Sequence, residues 1–263
     1  MLTTMHCMIT PDTQRVWDDY HGFYNSISLA QKQTLPASRN ARFAGAVHNA
    51  IDVPSFPFQA KKDDHLLYLS RISPEKGPET AIEVARRTGK QLIIAGKVDP
   101  ADRDYYREHV APQIDGYQVR FLGEADATLK RELYKRASCL LMPITWEEPF
   151  GLVMAEAQAC GTPVVTFGRG AAPEIVRHGE TGFVVDTIEE MVASVGRLKE
   201  IDPLDCRENV ERRFDAPTMA ANYVQVYRSI VESEPVRKSD ALVPAAETNG
   251  HKQENGRTTA RVA

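Results

Sequence analysis

The chain has 263 residues, enough for one full domain with part of another or for two small ones. A net charge of −4 excludes the basic excess of a protein that grips a nucleic-acid backbone. No apolar run approaches the roughly 18–20 residues that span a bilayer, and the start, MLTTMHCMITPD, lacks the basic and apolar regions of a signal peptide.

In chain order, residues 1–60 hold three pieces that read as strand ends, TTMHCMI, NSISLA and RFAGAVHNAI, set between helical or loop segments. They are too few to close a second sheet. Pro54, Pro57 and the polar run KKDD (61–64) mark a linker. From residue 65 the pattern is regular. HLLYLS (65–70) reads as a buried strand, PETAIEVARR (78–87) as a helix stopped by Gly89, and QLIIAG (91–96) as the next strand. A polar helix over 100–113 follows, then strand YQVRFLG (117–123) and a helix over 126–137 capped by Asp126. SCLLMPI (138–144), PVVTF (163–167) and TGFVVD (181–186) complete the strands, with a short helix at APEIVRHG and helices near 187–200 and 203–214. Strands with little internal polarity, each followed by a helix, imply an α/β fold: a Rossmann-like, doubly wound parallel sheet covered on both faces. An amphipathic helix over 216–232 comes next, and the polar tail 233–263 reads as disordered. Cys7, Cys139, Cys160 and Cys206 form no CxxC, so neither a disulfide framework nor a zinc site is expected, and a reducing cytoplasm fits.

The stretch EEPFGLVMAEAQACGTPVV (147–165) carries the chemistry. In a parallel sheet, ligands bind beyond the carboxyl ends of the strands, where the loop TWEEPF lies. A helix starting at Gly151 offers the free amides of Phe150, Gly151, Leu152 and Val153, and the positive end of its dipole, to an anion such as a phosphate. Glu148 faces that space, and Glu156 follows eight positions later (156 − 148 = 8). A carboxylate there can accept two hydroxyls of a sugar or ribose. The bland alternatives are a dipole partner for Glu148 and a solvated helix residue for Glu156. Yet Val153, Met154, Ala157 and Ala159 make this helix apolar nearly all round, so a lone carboxylate on it needs a partner.

Glu148-Pro-Phe-Gly-Leu-Val-Met-Ala-Glu156, followed by CGTPVV, resembles the E-x7-E motif of the retaining family 4 glycosyltransferases. SRISPEKG (70–77) resembles that family's GR-x-x-x-x-KG segment, with Ser70 for the usual Gly, and RGAAPEIVRHGETGFVVD (169–186) resembles a further segment; the likeness covers about 41–232. It implies the GT-B architecture of two Rossmann-like domains facing a cleft. On that pattern, 1–60 is a partial, N-terminally truncated acceptor-side domain, 61–215 the nucleotide-sugar domain, and 216–232 a helix crossing back to the first. The implied activity is transfer of a hexose, with retention, from a nucleoside-diphosphate sugar to an unknown acceptor (glycan, lipid or small molecule). UDP-glucose is the default donor and GDP-mannose its rival. The resemblance makes Arg71 and Lys76 the diphosphate clamp, sets Glu148 and His6 beside the transferred sugar and Glu156 at the ribose hydroxyls, and gives sugar and phosphate oxygens to the amides of 150–153. It also implies no cofactor and no metal, so Asp102-Arg103-Asp104 is taken as a solvated face. Two other functions remain open: donor binding without turnover, and a glycoside hydrolase using Glu148 and Glu156.

Overall fold

The computed structural model describes residues 1–233. Three short strands, β1 (Leu2–Met5), β2 (Phe23–Ser26) and β3 (Arg42–Ala46), pair in parallel in the order β1-β2-β3, with α1 (Pro11–Asp18) and α2 (Leu29–Thr34) as crossovers. As expected of a partial second domain, the three segments make a second sheet that is short and open. It holds together because Trp17, Tyr24 and Leu35 bury against one another as a core of their own, the Trp17 and Tyr24 rings meeting edge to face at 4.8 Å.

The larger unit alternates strand and helix as far as its last strand, which two helices follow. Its elements are β4 (Leu66–Leu69), α3 (Pro78–Thr88), β5 (Leu92–Ala95), α4 (Arg103–Tyr105), β6 (Val119–Phe121), α5 (Ala127–Arg136), β7 (Cys139–Met142), α6 (Leu152–Ala159), β8 (Val164–Phe167), α7 (Ala172–Ile175), β9 (Gly182–Val185), α8 (Ile188–Gly196) and α9 (Pro203–Arg213). All strand pairs are parallel, in the order β6-β5-β4-β7-β8-β9. Both faces are buried: Leu67, Leu140 and Val164 enter one core, Leu66, Leu92, Val119 and Val165 the other. This explains the lack of polar alternation within the strands. The cysteines are free; Cys139, Cys160 and Cys206 are buried and Cys7 is exposed.

The polar helix expected over 100–113 is not one α-helix. It breaks into a 3₁₀ turn (Pro100–Asp102), α4, a π-helical turn (Tyr106–Val110) and a second 3₁₀ turn (Ala111–Gln113). Pro112 has no N–H to continue an α ladder, so the hydrogen-bond spacing changes around it.

After α9 the chain returns to the small sheet. The last described helix, α10 (Ala216–Ser233), packs on β3 and buries Val226. Its Tyr223 hydroxyl meets Thr4 Oγ1 at 3.0 Å and accepts from Asn25 Nδ2 at 3.3 Å. Apart from Ser233, the tail expected to be disordered lies outside the described residues. Among the described residues no helix is long and apolar enough to cross a membrane.

The strand order fixes where a ligand can enter. From β4 the chain winds outward through β5 and β6; it then re-enters at β7, beside β4, and winds the other way through β8 and β9. Loops leaving the carboxyl ends of β4 and β7 diverge, and a crevice opens between them.

Candidate functional site

Two adjoining cavities occupy that crevice and share Ser70 and Val153. One, of about 300 Å³, is lined by Lys76, Trp146, Glu148 and residues 149–153, with His6 and Asn49 reaching it from the small-sheet side. The other, of about 330 Å³, is lined by Arg71, Lys97, Asp99 and Glu124. A larger cavity of about 520 Å³ lies elsewhere, along Asp63, Asp64, Lys90 and Arg136. There Lys90 pairs with Asp64 and Arg136 with Asp63, and none of the motif residues reaches it.

The β4–α3 loop supplies the cations. Lys76 closes a 3₁₀ turn (Pro74–Lys76) and its Nζ lies 2.5 Å from Glu148 Oε2, both side chains largely buried. Arg71 lies further out and pairs with Glu75, with Asp99 at 3.6 Å. Burial alone would raise the Glu75 carboxyl; its own amide and the Arg71 guanidinium hold it below its ordinary 4.5. Asp99 is likewise held down, first by its hydrogen bond from Lys97. Both motif cations thus rest on carboxylates that an incoming diphosphate could replace.

The β7–α6 loop supplies the anion-facing backbone. Gly151 is the N-cap of α6 at φ 86°, a left-handed conformation that favours glycine. The first amide given back within the turn is that of Met154, to Gly151 O at 3.0 Å. Among the described residues the amides of Phe150, Gly151, Leu152 and Val153 donate to no protein acceptor. The Phe150 ring itself is buried against Phe214, centroids 5.6 Å apart, which anchors this loop to the core. A second loop braces it: Gly170 N donates to Glu147 Oε2 at 2.8 Å, and Ala171 N to Glu148 O at 2.8 Å.

Glu156 is placed differently from Glu148. Its carboxylate turns to α5, where Lys130 Nζ donates at 2.7 Å and the buried Tyr134 hydroxyl at 2.9 Å. It is no solvated helix residue, being 7% exposed, and it is not on the lining of either cavity. Burial, then the Glu156 charge, pushes the Tyr134 phenol well above its ordinary range, so the hydroxyl stays a donor. Of the residues selected from sequence, the structure gathers His6, Lys76, Glu148 and 150–153 on one cavity and Arg71 on its neighbour, with Glu156 outside both. Glu148 lines the first cavity and Glu156 lines neither, an arrangement unlike the two carboxylates a glycosidase sets on either side of one bound glycoside. Asp104, from the Asp-x-Asp spacing, pairs with Arg107 at 2.9 Å on the surface.

Sequence reasoning missed Trp146, Asn49, Lys130 and Tyr134. Lys130 and Tyr134 were accessible in principle: their i,i+4 spacing places both on one face of α5. Trp146 and Asn49 sit in loops, where no periodicity marks them.

Comparison with known proteins agrees with this architecture. The chain is 33% identical over 221 residues to a glycogen synthase of Mycobacterium tuberculosis, covering 76% of this chain and 51% of the relative. It is 28% identical over 210 residues to a phosphatidyl-myo-inositol mannosyltransferase of the same organism, covering 71% and 54%. The chain thus spans about half the length of these relatives. Among solved structures, Anabaena HepE in complex with UDP and glucose matches with a TM-score of 0.73 at 20% identity, over 87% of this chain and 71% of that one. Residues 54–213 match the family described as Glycosyl transferases group 1, and the chain belongs to that family.

Proposed function

We propose that this chain binds a nucleoside-diphosphate sugar in the β4/β7 crevice and transfers its hexose, with retention, to an acceptor. UDP-glucose is the favoured donor and GDP-mannose its rival. The observation that carries this reading is the convergence of Lys76 and the open amides of 150–153 on one cavity, with Arg71 on the adjoining one. HepE, whose fold this chain shares, has been captured with UDP-glucose, and one relative is named a mannosyltransferase.

In this mechanism the diphosphate draws Arg71 from Glu75 and Asp99, and Lys76 from Glu148. As the glycosyl bond breaks, negative charge grows on the diphosphate. Fixed cations and amides at a helix N-terminus stabilise that charge more than they stabilise the ground state. Glu148, and His6 from the end of β1, stand beside the sugar. Glu156, which the resemblance places at the ribose hydroxyls, is held by Lys130 and Tyr134 outside both cavities, so its part in this reading is to tie α5 to α6 behind the donor-facing amides.

Donor binding without turnover is the second reading, and the observation behind it is the half-length span relative to the glycogen synthase. Calorimetric titration with UDP and with GDP tests the donor site directly. Binding of one of them, abolished by Arg71→Ala, is the expected result; binding of neither defeats the proposal. Release of UDP from UDP-glucose in the presence of candidate acceptors then separates turnover from binding alone.

A further inference from the structure

The wall of the first cavity contains an aromatic residue to which neither the motif nor the proposed chemistry gives a role. Trp146, half-buried in the β7–α6 loop, donates its indole Nε1–H to Glu148 Oε2 at 3.0 Å. Lys76 Nζ reaches the same oxygen at 2.5 Å and stands 4.6 Å from the centre of the Trp146 ring. One side chain therefore holds both members of the ion pair, its N–H edge on the carboxylate and its π face on the ammonium. Both partners converge on Oε2, and among the described residues none donates to Glu148 Oε1.

This arrangement has a consequence when an anion arrives. A diphosphate competes for the three donors of the Lys76 ammonium and loosens the ion pair. Glu148 is too buried to exchange Lys76 for bulk water at no cost, and the indole N–H is the partner that remains. We infer that Trp146 is a positioning residue for the transferred hexose: it holds the Glu148 carboxylate through Oε2 while Lys76 turns to the diphosphate, leaving Oε1 as the acceptor for a sugar hydroxyl. The inference rests on the donor-site reading above and deepens it, because it separates recognition of the hexose from recognition of the nucleotide.

Trp146→Phe keeps an aromatic face for Lys76 and removes only the N–H donor. The measurement is calorimetric affinity of wild type and variant for UDP and UDP-glucose, and for GDP and GDP-mannose. The readout is the ratio of affinities, hexose conjugate over bare diphosphate. A structural defect would weaken both ligands and leave the ratio alone. Trp146→Phe is expected to lower the ratio about tenfold, the scale of one hydrogen bond to a charged group. In a Glu148→Ala background the same substitution is expected to change the ratio no further, because the indole then has no carboxylate to hold. An unchanged ratio in the single variant, or an additional fall in the double variant, overturns the positioning role while the donor site stands. Failure of the wild type to bind any of the four ligands overturns the donor reading, and this inference with it.

Discussion

At the scale of single residues, the candidate site is a set of ion pairs. Lys76 and Glu148 are only 13% and 11% exposed as side chains, so removing either leaves a charge with little water around it. Arg71 is more open and its pairs are correspondingly weak. Arg71→Ala and Lys76→Ala are each expected to cost about 2–4 kcal/mol of transition-state stabilisation, the scale of one lost oxyanion donor. Steady-state kcat/KM with the preferred donor checks this; turnover equal to wild type in both variants would refute the clamp. Glu156 tests a separate point. Tyr134→Phe removes one of its two donors inside the core and is expected to destabilise the fold by about 1–2 kcal/mol, read by urea denaturation. At this scale the sequence was most informative where residue type and spacing act locally, as in the E-x7-E stretch. It was silent on Trp146, whose ring contact is with Lys76, a residue 70 positions away.

At the scale of elements, the decisive feature is how the start of α6 is braced. Gly170 has φ 54°, and a Cβ there would overlap the backbone N and O of Glu148. Gly170→Ala is therefore expected to cost more than the roughly 1–2 kcal/mol of left-handed strain alone, because rigid backbone must move. Loss of nucleotide affinity should accompany it; a variant that binds UDP or GDP as wild type does would show the brace to be dispensable. A second junction ties the two sheets together. Glu174 on α7 accepts from the amides of Leu29 and Ala30 at 3.0 and 2.7 Å, at the start of α2, and contacts His48 Nε2 at 2.7 Å. Burial would raise this carboxyl, but those hydrogen bonds outweigh burial and hold it below its ordinary 4.5. The sign follows from proton linkage. A folded pKa below the unfolded one gives stability that is complete above 4.5 and is lost as the pH falls through the folded value. Wild type should lose denaturant resistance in that acid range more steeply than Glu174→Gln, and parallel pH profiles would refute the linkage. Of the elements, the six strands of the larger sheet were legible because buried parallel strands are uniformly apolar. The 100–113 segment was misread because a polar helical pattern does not reveal which hydrogen-bond spacing a nearby proline enforces.

At the scale of the whole molecule, two parallel sheets meet across α10 and the 47–53 segment. Ile51 N donates to Phe214 O at 2.9 Å, and Tyr223 on α10 reaches Thr4 and Asn25 of the small sheet. His6 and Asn49 thereby reach the same cavity as Lys76 and Glu148. If the crevice holds the donor, ligand binding must stabilise the whole fold by mass action. A nucleoside diphosphate at 100 times its Kd should add about 2.7 kcal/mol, visible as a raised thermal midpoint that Arg71→Ala suppresses. A midpoint indifferent to UDP and GDP alike would count against the site.

By itself the sequence determined the alternation of strand and helix, the buried character of the larger sheet and the glycine-started helix with open amides. Each of these is written in local period, residue type or backbone conformation. The tertiary structure alone decided which loops face one another. Placing β7 beside β4 rather than β6 brings the Lys76 loop against the Glu148 loop, and the packing of α5 on α6 turns Glu156 away from the cavity to Lys130 and Tyr134. The physical reason is that side-chain pairing across crossovers depends on strand order, and a one-dimensional pattern of apolar and polar residues is the same for every order the chain could adopt.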